Sequence, residues 1–273
     1  MPKLTTPDQV NLNYTDIGSG RPIVMIHGWP LSGAAFADNA KVLAAAGYRV
    51  ITYDRRGFGQ SGKPRDGYDY DTLAADLDAL LTGLDLHDVV LLGFSMGGGE
   101  VARYLATRGS ERVGAAILSG SICPALCITK DNPDGAMPRE GFQELADACA
   151  ADHAGFVDQF CGWFYSNNQG LTVPEEVRQQ AVEIAWQSAP HAAVATILSW
   201  TEDLREDCRR IDVPLLVIHG DGDQNVPLAK SSARMPEYAQ QAQLVVIEGG
   251  PHGINVSHAD QWNAAILNFL AGS

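Results

Sequence analysis

Six short apolar runs recur along the chain: IVMIH (23–27), VITY (50–53), VVLLGF (89–94), VGAAILS (113–119), LLVIH (215–219) and LVVI (244–247). Strands that are apolar on both faces are covered on both faces, the condition of a parallel sheet flanked by helices. Helical text lies at 34–46, 72–84, 98–108, 229–240 and 260–271. This alternation predicts right-handed crossovers and an α/β fold with a doubly wound, mostly parallel sheet. Residues 9–17 alternate instead, as an antiparallel edge strand does. The rhythm breaks from Ile122 to Arg210, where FQELADAC, GFVDQFCGWFYSN and PEEVRQQAVEIAWQ read as helical and strand-like runs stop. The expected organisation is one core, 1–121 with 211–273, carrying a helical cap insertion at 122–210.

With 273 residues, 45% of them apolar, the chain has ample material for one large buried core. Its 33 acidic against 19 basic residues give a formal charge of −14, and no Lys/Arg cluster stands out. That balance argues against nucleic acid or an anionic membrane as partner and is read as a solubility feature. No apolar stretch approaches the ~20 residues of a membrane span. The opening MPKLTTPDQVNLNY lacks the basic flank and apolar core of a signal peptide, so a cytoplasmic location is expected. Five cysteines without a C-x-x-C pair indicate neither a disulfide framework nor a zinc site.

Ligands of open α/β sheets collect outside the carboxyl ends of the strands. At one such end stands Gly93-Phe94-Ser95-Met96-Gly97, a G-x-S-x-G between a predicted strand and a predicted helix. In a nucleophile elbow the serine is held at the apex of a strained turn, and small neighbours are needed because strand and helix approach closely. A serine N-cap is the plainer reading; the strand before and the helix after favour the nucleophile. A serine hydroxyl needs a base to take its proton, and the base needs an orienting acid. After the strand LLVIH comes GDGDQNVP, in which Asp223 is the chosen acid and Asp221 the residue that ties down the turn. After LVVI comes EGGPHGINVSH, which places His252 as the base; His258 reads as a helix-start histidine. The backbone N–H of Met96 is the first expected oxyanion donor, and that of Trp29, in the loop after the first parallel strand, the second. His27 reads as a loop anchor and His219 as a strand-end packing residue.

Two motifs mislead. Gly57-Phe58-Gly59-Gln60-Ser61-Gly62 matches G-x-G-x-x-G, but Arg55 and Arg56 precede it and Lys63-Pro64 delays any helix after it, so it reads as a loop. Asp221, Asp223 and Asn225 resemble part of a calcium loop, with the glycine and distal glutamate misplaced.

Taken together, HGWPLSG (27–33), YDRRGFGQS (53–61), GYDYDTLAADL (67–77), GFSMGGGEVARYLA (93–106), HGDGDQNVP (219–227) and GGPHGINVSHAD (249–260) resemble the α/β-hydrolase superfamily along nearly the whole chain. More narrowly they resemble its cofactor-free bacterial haloperoxidase, perhydrolase and aryl esterase group. The resemblance implies a triad of Ser95, Asp223 and His252, oxyanion donors at Trp29 and Met96, and no metal or cofactor. It implies hydrolysis of small, often aromatic esters through an acyl-enzyme. Hydrogen peroxide can replace water on that acyl-enzyme to release a peracid, which oxidises halide in solution. An amide or γ-lactam hydrolase with the same triad is the alternative, and a binder without turnover is disfavoured by the intact triad. Dehalogenases and epoxide hydrolases carry an aspartate where Ser95 stands. The partners are a small ester or carboxylic acid and hydrogen peroxide, and assembly as a homo-oligomer is left open.

Within this resemblance Pro30 is similar to the perhydrolase-type members: proline fixes φ near −65° and turns the Trp29 carbonyl towards bound peroxide. Asn225 departs from the group, where that position is usually apolar. It is either an exposed turn asparagine or a polar group in the pocket wall. The substrate-binding residues expected are Pro30, Phe94, Ile122, Phe142, Phe160, Trp163, Asn225 and Val226, in a mostly apolar pocket shared by strand ends and cap.

Overall fold

The computed structural model describes residues 2–272. Its main sheet has eight strands, in the spatial order Lys3–Thr5, Asn11–Gly18, Arg49–Tyr53, Pro22–Ile26, Val89–Phe94, Val113–Ser119, Leu215–Gly220 and Ala242–Ile247. The first two strands pair antiparallel with their neighbours, and every later pairing is parallel. Ile23, Val24, Met25 and Ile26 and the run from Val89 to Leu92 are fully buried, as central strands covered by helices on both sides must be. Strand order reverses at Pro22–Ile26: Arg49–Tyr53 lies on one side of it and Val89–Phe94 on the other. A crevice opens beyond the carboxyl ends of strands at such a switch point. The loop beginning at His27 and the turn carrying Ser95 both leave the sheet there.

Several local expectations are revised. Residues 11–18 are antiparallel as anticipated, but Lys3–Thr5 pairs outside them and takes the edge. The 229–240 segment is not a continuous helix. It forms two 3₁₀ turns, Leu228–Lys230 and Ser232–Glu237, separated by Ser231 and containing Pro236. Proline has no N–H for the helical ladder and clashes with the preceding turn, so the apolar period found there cannot propagate as α-helix. The 122–210 region is mostly helical, with helices Arg139–Ala151, His153–Phe164, Glu175–Ala185, Pro190–Ser199 and Arg205–Arg209. It also holds two two-residue ribbons, Cys127–Ile128 with Met137–Pro138 and Ser166–Asn167 with Gly170–Leu171. Residues 57–62 form a loop, and helix begins only at Tyr70. Among the described residues no helix is long and apolar enough to cross a membrane.

Candidate active site

Ser95 stands between the strand Val89–Phe94 and the helix Met96–Arg108, with φ 55° and ψ −120°. A residue with a side chain seldom adopts that backbone; it persists only where the surroundings enforce it, and it holds the side chain up at the turn's apex. The glycines make the turn sterically feasible. A Cβ on Gly93 would lie 2.6 Å from the carbonyl carbon of Gly97, and one on Gly97 would lie 2.5 Å from the Ile26 carbonyl oxygen. Gly98 and Gly99 meet the Ser121 side chain and the Tyr70 ring at similar closeness, which lets the helix pack tightly. Ser95 N–H donates to Ser119 O at 2.8 Å, fixing the turn to the neighbouring strand's end.

Sequence position alone separates Ser95, Asp223 and His252 widely; the fold joins them in one chain of hydrogen bonds. His252 Nε2 lies 2.9 Å from Ser95 Oγ, and His252 Nδ1 lies 2.6 Å from Asp223 Oδ2. The other oxygen of Asp223 accepts the backbone N–H groups of Asn225 at 2.9 Å and Val226 at 2.8 Å. Burial by itself pushes this carboxyl up. The facing His252, the hydrogen bond from His219 and the bond to His252 outweigh it, and Asp223 is held well below the usual carboxylate range. An ionised acceptor on Nδ1 fixes the tautomer in which Nδ1 carries the proton and Nε2 is free to take one from Ser95. Phe164 and Phe94 pack their rings 5.0 and 5.3 Å from the His252 ring, so the imidazole has little room to turn.

Behind this line lies a layer of buried polar support. His219, whose proximity to Asp223 goes beyond its expected packing role, places Nε2 3.1 Å from Asp223 Oδ2 and 2.8 Å from Val226 O, and Nδ1 2.7 Å from Ser232 Oγ. Asp221 Oδ1 accepts from Gly249 N–H at 2.6 Å and ties the acid-bearing turn to the histidine-bearing loop. His258 sits at the junction of helices Ile254–Ser257 and Ala259–Leu270, bonded to its neighbour Ser257. His27 is fully buried and bridges the Gly28 carbonyl oxygen at 2.9 Å and the Arg55 N–H at 3.0 Å. Burial and the adjacent Arg55 hold it neutral.

Arg55 and Glu100 form a buried ion pair beneath this loop, with Tyr53 donating to Glu100 at 2.9 Å and Arg55 to the His27 carbonyl at 2.7 Å. Glu100→Ala leaves the guanidinium buried and uncompensated. An expected loss of about 3–5 kcal/mol follows, read as a lower denaturation midpoint at unchanged slope. A loss under 1 kcal/mol would show that the pair does not brace the loop.

The loop after the first parallel strand runs directly beside Ser95. A Cβ on Gly28 would lie 2.9 Å from the Ser95 Cβ, so the 28–29 backbone abuts the serine. Met96 opens the helix on the other side, and its N–H is one of the first-turn donors that have no intrahelical acceptor. Trp29 uses its ring to hold the cap. Its Nε1 donates to Ala193 O at 3.0 Å, and its indole meets Phe160, Trp200 and Phe156 edge-on at 4.6, 5.4 and 5.9 Å.

A cavity of about 140 Å³ opens at Ser95 and His252, close to the ~150 Å³ that accommodates a benzene-sized guest. Ile122, Phe142, Phe160, Trp163, Asn225 and Val226 lie in its wall as the sequence suggested. Pro30 and Phe94 do not. Pro30 is buried in the loop beyond Trp29, joined to it by a cis peptide bond, and Phe94 faces Phe36, Phe164 and His252. The sequence reading did not nominate Trp200, Phe156, Leu126, Met137, Leu145 or Gln224, which complete much of the wall. Among the described residues no group of three or more His, Cys, Asp or Glu side chains is placed to hold a metal ion.

A family model described as the alpha/beta hydrolase fold matches residues 21–259; the chain belongs to this family and is an enzyme of it. It is 40% identical over 274 residues to a non-heme chloroperoxidase of Kitasatospora aureofaciens, with 99% of each chain covered. It is 33% identical over 272 residues to a bifunctional esterase/perhydrolase of Acinetobacter calcoaceticus, with 98% of each covered. The crystal structure of a bromoperoxidase from Bacillus anthracis superposes with a TM-score of 0.96 at 39% identity, over 99% of both chains.

Proposed function

We propose that this protein is a serine esterase with perhydrolase activity, acting on small aryl carboxylic esters through an acyl-enzyme on Ser95. The observation that carries the reading is the continuous hydrogen-bonded line from Asp223 through His252 to Ser95 at the floor of a small, largely apolar cavity. His252 takes the Ser95 proton as Oγ attacks the ester carbonyl, and Asp223 stabilises the imidazolium that forms. The N–H groups of Trp29 and Met96 receive the developing oxyanion. The imidazolium then protonates the departing alcohol or phenol. In the second half, water or hydrogen peroxide gives its proton to His252 and attacks the acyl carbonyl, releasing carboxylic acid or peracid and restoring Ser95. The peracid carries the oxidising equivalent to halide in solution, which accommodates relatives named both as haloperoxidase and as esterase/perhydrolase.

The test is a competition on one aryl acetate, following phenol release and peracetic acid together as hydrogen peroxide is raised. Peracid that forms in the wild type and vanishes in Ser95→Ala supports the reading. Hydrolysis without peracid would reduce it to a plain esterase. Pro30 is buried beside Trp29 and fixes φ near −65° there. Pro30→Leu frees that torsion and weakens the hold of the Trp29 carbonyl on peroxide. The peroxide-to-water partition is then expected to fall about three- to tenfold, the worth of one net hydrogen bond. An unchanged partition removes Pro30 from the mechanism.

A further inference from the structure

Every residue of the strand Leu215–Gly220 is buried, and all before its last two are aliphatic. The exception inside it is His219, which has no exposed surface. A buried imidazole is tolerated where both ring nitrogens find partners. Nε2 lies 2.8 Å from Val226 O, and a carbonyl oxygen only accepts, so Nε2 carries a proton. Nδ1 lies 2.7 Å from the Oγ of Ser232, itself fully buried, which fixes the ring's orientation.

The same protonated nitrogen stands 3.1 Å from Asp223 Oδ2. That oxygen is the one 2.6 Å from His252 Nδ1, so Oδ2 sits between two imidazoles. Oδ1 meanwhile takes the backbone N–H groups of Asn225 and Val226. Those two bonds, with the His219 N–H on Val226 O, already close the 223–226 turn. The approach of His219 to Oδ2 is not needed for that closure, and its effect falls on the oxygen that faces His252.

The other charged groups around the pair are directed elsewhere. The strands on either side of His219, Val113–Ser119 and Ala242–Ile247, carry none. From the segment that presents Ser232, Arg234 donates to Asn132 Oδ1 at 2.6 Å and to Ala125 O, and Glu237 is exposed. Asp260 of the helix Ala259–Leu270, Asp221 and Glu248 are exposed. The helix His153–Phe164 meets His252 through Phe164; its His153 faces Ser188, its Asp158 pairs with Arg178, and burial keeps its Cys161 thiol neutral.

We infer that His219 is a positioning residue for the base: its Nε2–H shares Asp223 Oδ2 with His252 and sets how firmly His252 holds a proton. The inference rests on the esterase reading above. An N–H beside a carboxylate oxygen draws off part of that oxygen's field. Without it the whole field of Oδ2 falls on His252 and stabilises its imidazolium more, so the ring keeps its proton to higher pH.

The experiment follows kcat/KM for an aryl acetate against pH in wild type, His219→Leu and His219→Gln, because the acid limb of that profile reports the free enzyme's base. In His219→Leu the acid limb is expected to move up by about half a pH unit or more. Glutamine carries an N–H near the place of Nε2, so in His219→Gln the limb should return towards its wild-type position. A clamp that merely holds Asp223 still gives the opposite sign: a displaced carboxylate loses its grip on His252, and the limb stays or moves down while the plateau falls. That result overturns the inference, as does a limb that glutamine fails to restore. A second readout needs no variant. In wild type carrying heavy-nitrogen histidine, the His219 Nε2–H resonance should stay protonated and shift at the midpoint where His252 titrates. A His219 signal that is silent through that titration overturns the inference even where His219→Leu fails to fold. If no ester is hydrolysed, the esterase reading fails instead, and the resonance arm alone decides whether the two imidazoles share Oδ2.

Discussion

Ser95→Ala is expected to lower kcat for an aryl acetate about 10⁶-fold and to abolish peracid formation with it. The substitution removes only Oγ, the atom 2.9 Å from His252 Nε2, and keeps the Cβ that fills the apex of the turn. Serine and alanine are alike in bearing a Cβ at φ 55°, so the backbone there is no more strained in the variant. Stability and circular dichroism should therefore match the wild type within the ~0.5 kcal/mol typical of mild substitutions. Removal of a nucleophile leaves whatever the oxyanion donors and the cavity supply by themselves, which is small beside the lost covalent route. A fluorophosphonate, which reacts only with an activated serine, should label the wild type and not the variant. If Ser95→Ala kept a tenth of the activity or of the label, the nucleophile would lie elsewhere and the acyl-enzyme mechanism would have to be abandoned.

Legibility in the sequence followed how local each determinant is. The parallel strands announced themselves because both faces are buried, so the text is apolar almost throughout; Val89–Phe94 and Leu215–Gly220 were placed to within one residue. The meeting of Ser95, Asp223 and His252 was legible for a related reason. Each lies within a few residues of a strand's carboxyl end, and the fold brings those ends to a common crevice. The cap was a different matter. Trp200 and Phe156 line the cavity, yet in the sequence they look like the other cap aromatics, because which side of a cap helix faces the sheet is set by helix-on-helix packing. Phe94, next to Ser95 in sequence, points the other way and braces His252. Residues 229–240 show the limit of periodicity: the pattern was helical, and Pro236 with the Ser231 break prevented the helix. The ambiguity over Asn225 is resolved by its place in the cavity wall, which depends on the folding of the cap and not on local text.

The residues around Asp223 show why the proposed catalytic line is rigid. Its two oxygens receive two backbone N–H groups and His252, and His219 comes within 3.1 Å from the strand behind. One carboxylate thereby fixes its own turn, the tautomer of His252 and the position of Asn225. In the proposed mechanism the same residue serves chemistry and architecture, and a substitution there separates the two.

Asp223→Asn is expected to lower kcat about 10⁴-fold while leaving the protein folded. The carboxamide has nearly the carboxylate's shape, and its oxygen still accepts the N–H groups of Asn225 and Val226. Its NH₂ must then face His252 Nδ1, where it donates. Nδ1 becomes the acceptor, the ring proton moves to Nε2, and Nε2 can no longer take the proton of Ser95 Oγ. The substitution also removes a pH-dependent share of stability. Because Asp223 is held well below its ordinary value, the unfolded chain binds its proton before the native one does. That share is fully present above about pH 4, the unfolded carboxyl's range, and is lost as pH falls from there towards the native value. In acid titrations the difference in stability between wild type and Asp223→Asn should therefore shrink as the pH drops below about 4 and stay constant above it. Kinetics and stability thus test the carboxylate separately. An Asn variant retaining more than a hundredth of wild-type kcat would mean that His252 is oriented by something other than Asp223. A stability difference flat through the acid range would mean that the carboxyl is not held ionised in the folded protein.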